Sequence, residues 1–495
     1  MNNKFKVLSL LLASLLAVSV FSGCGVLNPP DNAGDTTTSG NEVVEDSVDA
    51  AISELREQVN WGGNDFGVLY VNDIAGYTEE IEANEEEGAG NATAGSVIND
   101  AVFERNTLME EYCDLKIVKI PIANASITGR IQGEVQTGTG DFQLITQTTS
   151  GTASAATSGY LYNYLDLDID YDQDWWDAGT LDFALGGRVF FMNGPFNIVD
   201  DDVTFVMMFN KDLQKEYQVP DLYQTVKDQE WTLDYFNSVV SDLSTDNGDG
   251  KWDEKDIYGF SCPGSIGDTF FYGAGLQYIV NSRDMDMPEL VLNERMEQAL
   301  DVLAIARSIV HENNSSYVAK AGSEALSRDV FVEGRSLFYC EAANYLRYLN
   351  ANMESEYGVV PIPKYNKAQE KYTTWSHSIG STLSIPTSVA KAGNDMEQFA
   401  HVLEMYTLLS QKLVRPAYYE VMLTTRNVHD AESSEMLDLI FATRTYDMAI
   451  YFNELGYAGI FANAVNSSGD NFASQYASKS KNFNGQISRL LKKLK

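Results

Sequence analysis

The residues best spaced for chemistry lie in Thr245 to Asp256, TDNGDGKWDEKD. Numbered as a twelve-place loop, oxygen donors fall at Thr245, Asn247, Asp249, Asp253 and Asp256, with the Lys251 carbonyl at the seventh place and Gly250 at the turn. Calcium takes six to eight hard oxygens, and a glycine at the sixth place lets the chain fold back around the ion. The spacing therefore predicts a structural calcium site. A solvated Asp/Asn/Gly turn is the plainer alternative. Catalytic patterns are thin by comparison. Gly-x-Ser-x-Gly, His-Glu-x-x-His, a phosphate-binding glycine loop and Cys-x-x-Cys are all missing, and His311-Glu312 lacks a second histidine. Nothing calls for an organic cofactor. Among 71 acidic residues a chance carboxylate pair is easy to find, so a glycosidase or lyase stays open on sequence alone.

The twelve-residue loop resembles that of dockerin modules, which also ends in Asp; Thr245 departs from the usual Asp at the first place. At the start of the chain, Lys4 and Lys6 precede an uncharged run, Val7 to Val20, which ends at Phe21-Ser22-Gly23-Cys24. This is the layout of a cleaved export signal. It resembles a bacterial lipoprotein signal over residues 1–23, with Cys24 as the acylated first residue, though Phe21 stands where Leu is usual. The apolar run is too short to span a bilayer, which takes ~20 residues. Residues 24–60 read as a flexible tether, with a short helix near Ala50–Val59; their Pro, Gly, Thr and acidic content cannot bury a core.

The remaining length suits two or three domains. A formal charge of −37 speaks against nucleic acid and against electrostatic docking on anionic lipid, leaving the acyl anchor as the membrane contact. Cys113, Cys262 and Cys340 are spaced too widely for a metal motif and are expected as buried thiols. Tyr 27, Phe 23 and Trp 6 supply many flat rings of the kind sugars stack on.

To position such groups the chain needs elements. Gly67–Val71, Leu115–Ile120 and Phe142–Thr146 read as strands, and Ser96–Tyr112 as a helix between the first two. A weaker helix should join the second strand to the third. That alternation predicts a parallel sheet whose ligands gather beyond the strands' carboxyl ends, near Asp73 and Thr146–Ser150. Further strands are expected at Arg188–Met192 and Val203–Phe209. Helices are expected at Thr232–Leu243, Met296–Val310 and Met396–Tyr406, and no internal repeat is evident.

Several stretches carry a wider resemblance: Asn99–Asn106, Met208–Leu213 with Trp231–Leu233, Phe331–Arg335, Tyr357–Tyr372, Pro416–Tyr419 and Glu435–Asp447. In this order they resemble the extracellular solute-binding proteins of family 1, sugar-capturing lipoproteins that feed ABC importers. The resemblance implies an α/β, two-lobed periplasmic-binding-protein-like fold (type II) with a hinge and an interlobe cleft. It places one lobe at 61–203 with 361–410 and the other at 204–360 with 411–495. Crossings are implied near Asp200–Val206 and Val360–Trp375.

A receptor of that kind would be a monomer on the outer face of the cell membrane, binding a carbohydrate and meeting permease subunits. At its cleft, Trp375, Trp175, Trp176, Tyr160 and Tyr345 would stack on sugar rings, and Asp73, Glu341, Asn344 and His377 would bond hydroxyls. The rival readings are a surface glycoside hydrolase or lyase and a peptide-binding lipoprotein.

Overall fold

The computed structural model describes residues 39–83, 97–177, 179–312, 314–320, 322–423, 431–467, 469 and 471–494. The leader and Cys24 lie outside them. In chain order the strands are β1 (Asn64–Val71), β2 (Leu115–Ile122), β3 (Leu144–Thr148) and β4 (Phe191–Met192). The chain then crosses to β5 (Phe205–Asn210), β6 (Tyr258–Pro263), the small antiparallel pair β7 (Ile279–Val280) and β8 (Glu289–Leu290), β9 (Ser316–Ala319), β10 (Ser336–Ala342) and β11 (Tyr357–Val360). It returns through β12 (Thr374–Trp375) to β13 (Ser381–Ser384), and β14 (Arg444–Thr445) comes last.

Two five-stranded sheets result, ordered β2-β1-β3-β13-β4 and β9-β6-β10-β5-β11. They share one topology. In each, three parallel strands are followed by an antiparallel one that arrives from the opposite lobe: β13 against β3, and β5 against β10. The topology repeats although the sequence does not. β3, β5 and β6 are buried along their whole length, because both faces of the sheets are covered where these strands lie.

Helix boundaries follow local chemistry. The Thr232 hydroxyl accepts the Tyr235 N–H and opens helix Leu233–Ser241. Asp395 caps Met396–Leu409 in the same way. Helix Val97–Cys113 fills the first crossover, and Asn124–Thr137 is the weaker helix of the second. Cys113, Cys262 and Cys340 are free and buried, and burial pushes their thiols well up, Cys113 to about 12.

Two boundaries differ from expectation. The tether was expected to reach residue 60, but Ser39–Arg56 is helical, and Val48, Ile52, Leu55 and Val59 pack into the first lobe's core beside Trp61. The apolar i, i+4 spacing of Val48, Ile52 and the nearby Leu55 gives that helix a burying face despite its acidic surroundings. Helix Arg415–Leu423, expected within the second lobe, packs against Val97–Cys113 of the first as well as against Tyr345–Asn352 of the second.

Candidate functional site: a cleft floor between two sheets

The two crossings run side by side. Thr204 and Ser376 form an antiparallel bridge, and the His377 N–H donates to the Val203 carbonyl (3.1 Å). On the first-lobe side, the Thr149 N–H at the end of β3 donates to the Gly380 carbonyl (2.9 Å), and the Ser150 N–H to that of Ser378 (3.3 Å). On the second-lobe side, just past β10, the Ala343 and Asn344 N–H groups donate to Thr204 and Asp202 (both 2.9 Å). Residues 202–204 and 376–380 thus form a floor joining the carboxyl ends of β3 and β10. This is where open α/β sheets place ligands.

Several expected residues meet there. The His377 ring lies 5.6 Å from that of Trp375, its Nδ1 accepts the Ile379 N–H (3.2 Å), and burial lowers its pKa, favouring the neutral ring. Ile379 is 45% exposed, an uncovered apolar surface on the floor, while Tyr77 donates to its carbonyl (2.7 Å). Asp73, exposed just past β1, accepts the Asn124 N–H (2.8 Å). Beyond β10, Asn344 is exposed, and Tyr345 is half-buried with its ring 6.1 Å from Tyr339. Burial lifts the Glu341 carboxyl to about 7, so it can donate or accept near neutral pH. Tyr348, one turn from Tyr345 on helix Tyr345–Asn352 and beneath the Arg328 guanidinium (3.9 Å), extends this surface and carries no signal in the sequence.

Other expected residues serve differently. Trp375 is only 7% exposed. Its ring stacks on Phe205 (5.1 Å, 3°), its Nε1 donates to Thr269 (3.2 Å), and Tyr272 lies 5.5 Å away. One face is therefore already covered. Tyr160 sits beside the far end of β13, where its carbonyl accepts the Thr387 N–H; because β13 runs antiparallel, this is the end of the sheet opposite the floor. Trp175 and Trp176 are buried in the first lobe's core, Trp176 against Tyr171 (5.2 Å).

Trp176 also borders a cavity of about 500 Å³ between loop 171–181 and the helices at 415–442. At its base lies a buried ionic hub. Arg444 pairs with Asp200 (2.9 Å), Asp201 (2.5 Å) and Asp177 (3.0 Å); Arg415 also pairs with Asp177, and the Tyr446 hydroxyl donates to Asp200 (2.6 Å). Burial raises the Asp201 carboxyl to about 7 despite Arg444. Asp177 is held below its usual range: burial pushes it up, but the Arg415 and Arg444 charges outweigh burial. Ser376 donates to Asp200 (2.6 Å), so the hub ties both crossings to β14. At Gly380 an added Cβ would lie 2.9 Å from Asp200 Oδ1, which explains a glycine there. Arg347 adds a second link, to Glu79 of the first lobe (3.1 Å) and Asp202 (3.0 Å).

The loop at 245–256 stands apart from the floor. Its ends are bridged, Thr245 to Ile257, and Gly250 takes φ +76°, as the turn place requires. The donors suit a hard cation in kind. In this conformation, though, they hold the loop's own amides. The buried Asp256 carboxylate accepts from Asn247 (2.9 Å) and Asp253 (2.7 Å), Asp249 from Lys251 (2.8 Å), Asp253 from Lys255 (2.9 Å), and Asn247 from Asp249 (3.0 Å). Among the described residues no three acidic, His or Cys side chains are grouped to hold an ion.

No protein-family model matches the chain, and no curated protein sequence matches it. Its fold is nevertheless shared with solved structures. A cyclo/maltodextrin-binding protein complexed with maltotetraose superposes with a TM-score of 0.54 at 13% identity, over 87% of this chain and 97% of that one. An ABC substrate-binding protein from Listeria monocytogenes in complex with cycloalternan gives 0.51 at 14% identity, over 86% and 99%. UspC of M. tuberculosis gives 0.52 at 12%, over 84% and 99%. The chain therefore has the two-lobed architecture of ABC substrate-binding proteins. The type II fold implied by its sequence is the fold it adopts.

Proposed function

We propose that this protein is an exported, lipid-anchored receptor that captures an oligosaccharide and delivers it to an ABC importer. The observation that carries the reading is the floor, where two sheets of one topology bring their carboxyl ends together across paired crossings. A solute touching both walls binds the closed form better and so drives closure. The ligands seen in the neighbouring structures, maltotetraose and cycloalternan, support a sugar. Asp73, Asn344, Glu341 and His377 supply hydroxyl partners, and Ile379, Tyr345 and Tyr348 supply apolar and aromatic faces. The receptor acts as a monomer and hands its ligand to permease subunits. The sequence layout that ends in Phe21-Ser22-Gly23-Cys24 supports Cys24 as the anchor; among the described residues no helix is long and apolar enough to cross a membrane. The 245–256 loop is proposed to hold calcium in a structural role.

A titration panel tests the reading. Oligosaccharides should shift tryptophan emission and compact the molecule in solution scattering while staying chemically intact, and short peptides should do neither. Closure by peptides alone overturns the sugar assignment, and cleavage at enzymatic rates overturns the receptor. Cys24→Ser should release the protein from membranes or leave its leader uncut. A processed variant that still fractionates with membranes refutes the anchor.

A further inference from the structure

Whole-chain charge conceals a strong local asymmetry. Residues 471–495 contain six of the 34 basic residues, Lys479, Lys481, Arg489, Lys492, Lys493 and Lys495, and none of the 71 acidic ones. Helix Phe483–Lys493 buries Phe483, Ile487 and Leu490 against the body, and Leu494 follows them. That spacing turns Arg489, Lys492 and Lys493 outward, beside the exposed Lys479 and Lys481 of the preceding turn. Lys493 lies 3.7 Å from Glu454; no ion pair to Lys479, Lys481, Arg489 or Lys492 appears among the described residues. Two shallow depressions of about 290 and 370 Å³ adjoin on this face and share Gln486 and Arg489; Glu454 and Lys493 border the first, and Lys481 borders the second, which no acidic side chain lines.

We propose that this C-terminal basic face docks on anionic phospholipid headgroups, whose phosphates sit in the depression lined by Lys481 and Arg489. The acidic body does not forbid this. At physiological salt, charges beyond about 8 Å are largely screened, so the face nearest the bilayer governs the contact. Each basic residue near an anionic surface strengthens attachment by roughly fivefold. Docking would orient the receptor on the membrane. The inference does not depend on the acyl anchor, because the test leaves Cys24 out.

Residues 44–495 form one compact unit, so a chain beginning at residue 25 keeps the whole body. It would be sedimented with vesicles of phosphatidylcholine alone and of phosphatidylcholine with about one-third phosphatidylglycerol, at ~0.05 M and ~0.5 M salt. We expect at least about tenfold more bound on the anionic vesicles at low salt, and loss of that excess at high salt. The triple variant Lys481→Glu, Arg489→Glu, Lys492→Glu should abolish it. An equal charge change elsewhere, Lys116→Glu, Lys215→Glu, Lys320→Glu, should keep it. Equal binding to both vesicles, retention by the helix variant, or equal loss in both triples overturns the proposal.

Discussion

Arg444 Nη1 lies 2.9 Å from Asp200 Oδ2, joining residues 244 apart in sequence at the base of the hinge. The same guanidinium holds Asp201 and Asp177, so a single side chain neutralises acids from the first lobe and the first crossing together. Removing one partner of a buried ion pair leaves uncompensated charge and costs about 3–5 kcal/mol. Arg444→Met should therefore destabilise the protein by that order in urea unfolding. Arg444→Lys should recover only part, because an ammonium cannot fork to three carboxylates. A loss below about 1 kcal/mol in Arg444→Met would show that the hub contributes little.

Glu80 makes the second prediction. It is fully buried; its Oε1 accepts the Val199 N–H (2.8 Å) and the Ser381 hydroxyl, and among the described residues no side-chain or backbone bond to Oε2 meets full hydrogen-bond geometry. Burial raises its pKa to about 8. Against an ordinary value near ~4.3 in the unfolded chain, its neutral form stabilises the fold fully below ~pH 4.3, and that contribution is lost as pH rises through about 8. Burial also raises Asp201, Asp447 and Glu341 to about 7, and Asp202 and Asp268 to about 6, which adds the same slope. Melting temperature should thus rise on acidification from about pH 8 to 5.5. Glu80→Gln should flatten the upper part of that rise; an unchanged profile would refute the neutral Glu80.

Trp375 gives a third. With Phe205 stacked on its ring and Thr269 on its Nε1, it supports the floor from below. Trp375→Ala should cost about 3–5 kcal/mol of stability, as other large buried aromatics do. Trp375→Phe should bind sugar nearly as well as wild type. A loss of affinity in Trp375→Phe without a loss of stability would instead assign the indole direct sugar contact.

How much of this was legible in sequence depended on whether one segment held the signal. The apolar run Gly67–Val71 and the alternation at Leu115–Ile120 give their strands away. Met296–Val310 shows helical spacing along its whole length and is a helix to His311. β6, Tyr-Gly-Phe-Ser-Cys-Pro, interrupts its apolar residues with Gly, Ser and Pro and is not among the strands the sequence predicts, and β13, Ser-Thr-Leu-Ser, carries one apolar residue. Both become strands because neighbours cover them on both sides, a tertiary effect absent from the local pattern. The shared topology was illegible for the same reason. In the site, Asp73 and His377 could be placed from strand ends and crossings. Arg444, Asp177 and Asp200 could not, because their relation exists only once the lobes assemble.

The loop at 245–256 supplies the last prediction. Asp256 is buried and both its oxygens hold backbone amides, so the loop is closed without an ion. Calcium would recruit the more exposed Asp249 and Asp253 with Asn247, turning their oxygens from the amides of residues 251, 255 and 249 towards a common centre. Extracellular calcium modules bind at roughly 10⁻⁴ to 10⁻³ M. A few millimolar calcium should therefore raise the melting temperature, magnesium should do so far less because it demands a tighter octahedron, and Asp249→Ala should remove the rise. Asp256→Asn separates the two roles. It weakens the closed loop even without calcium, so its melting point should fall in chelator, whereas that of Asp249→Ala should not. If calcium moves neither wild type nor variants, the loop is a turn held by its own amides alone.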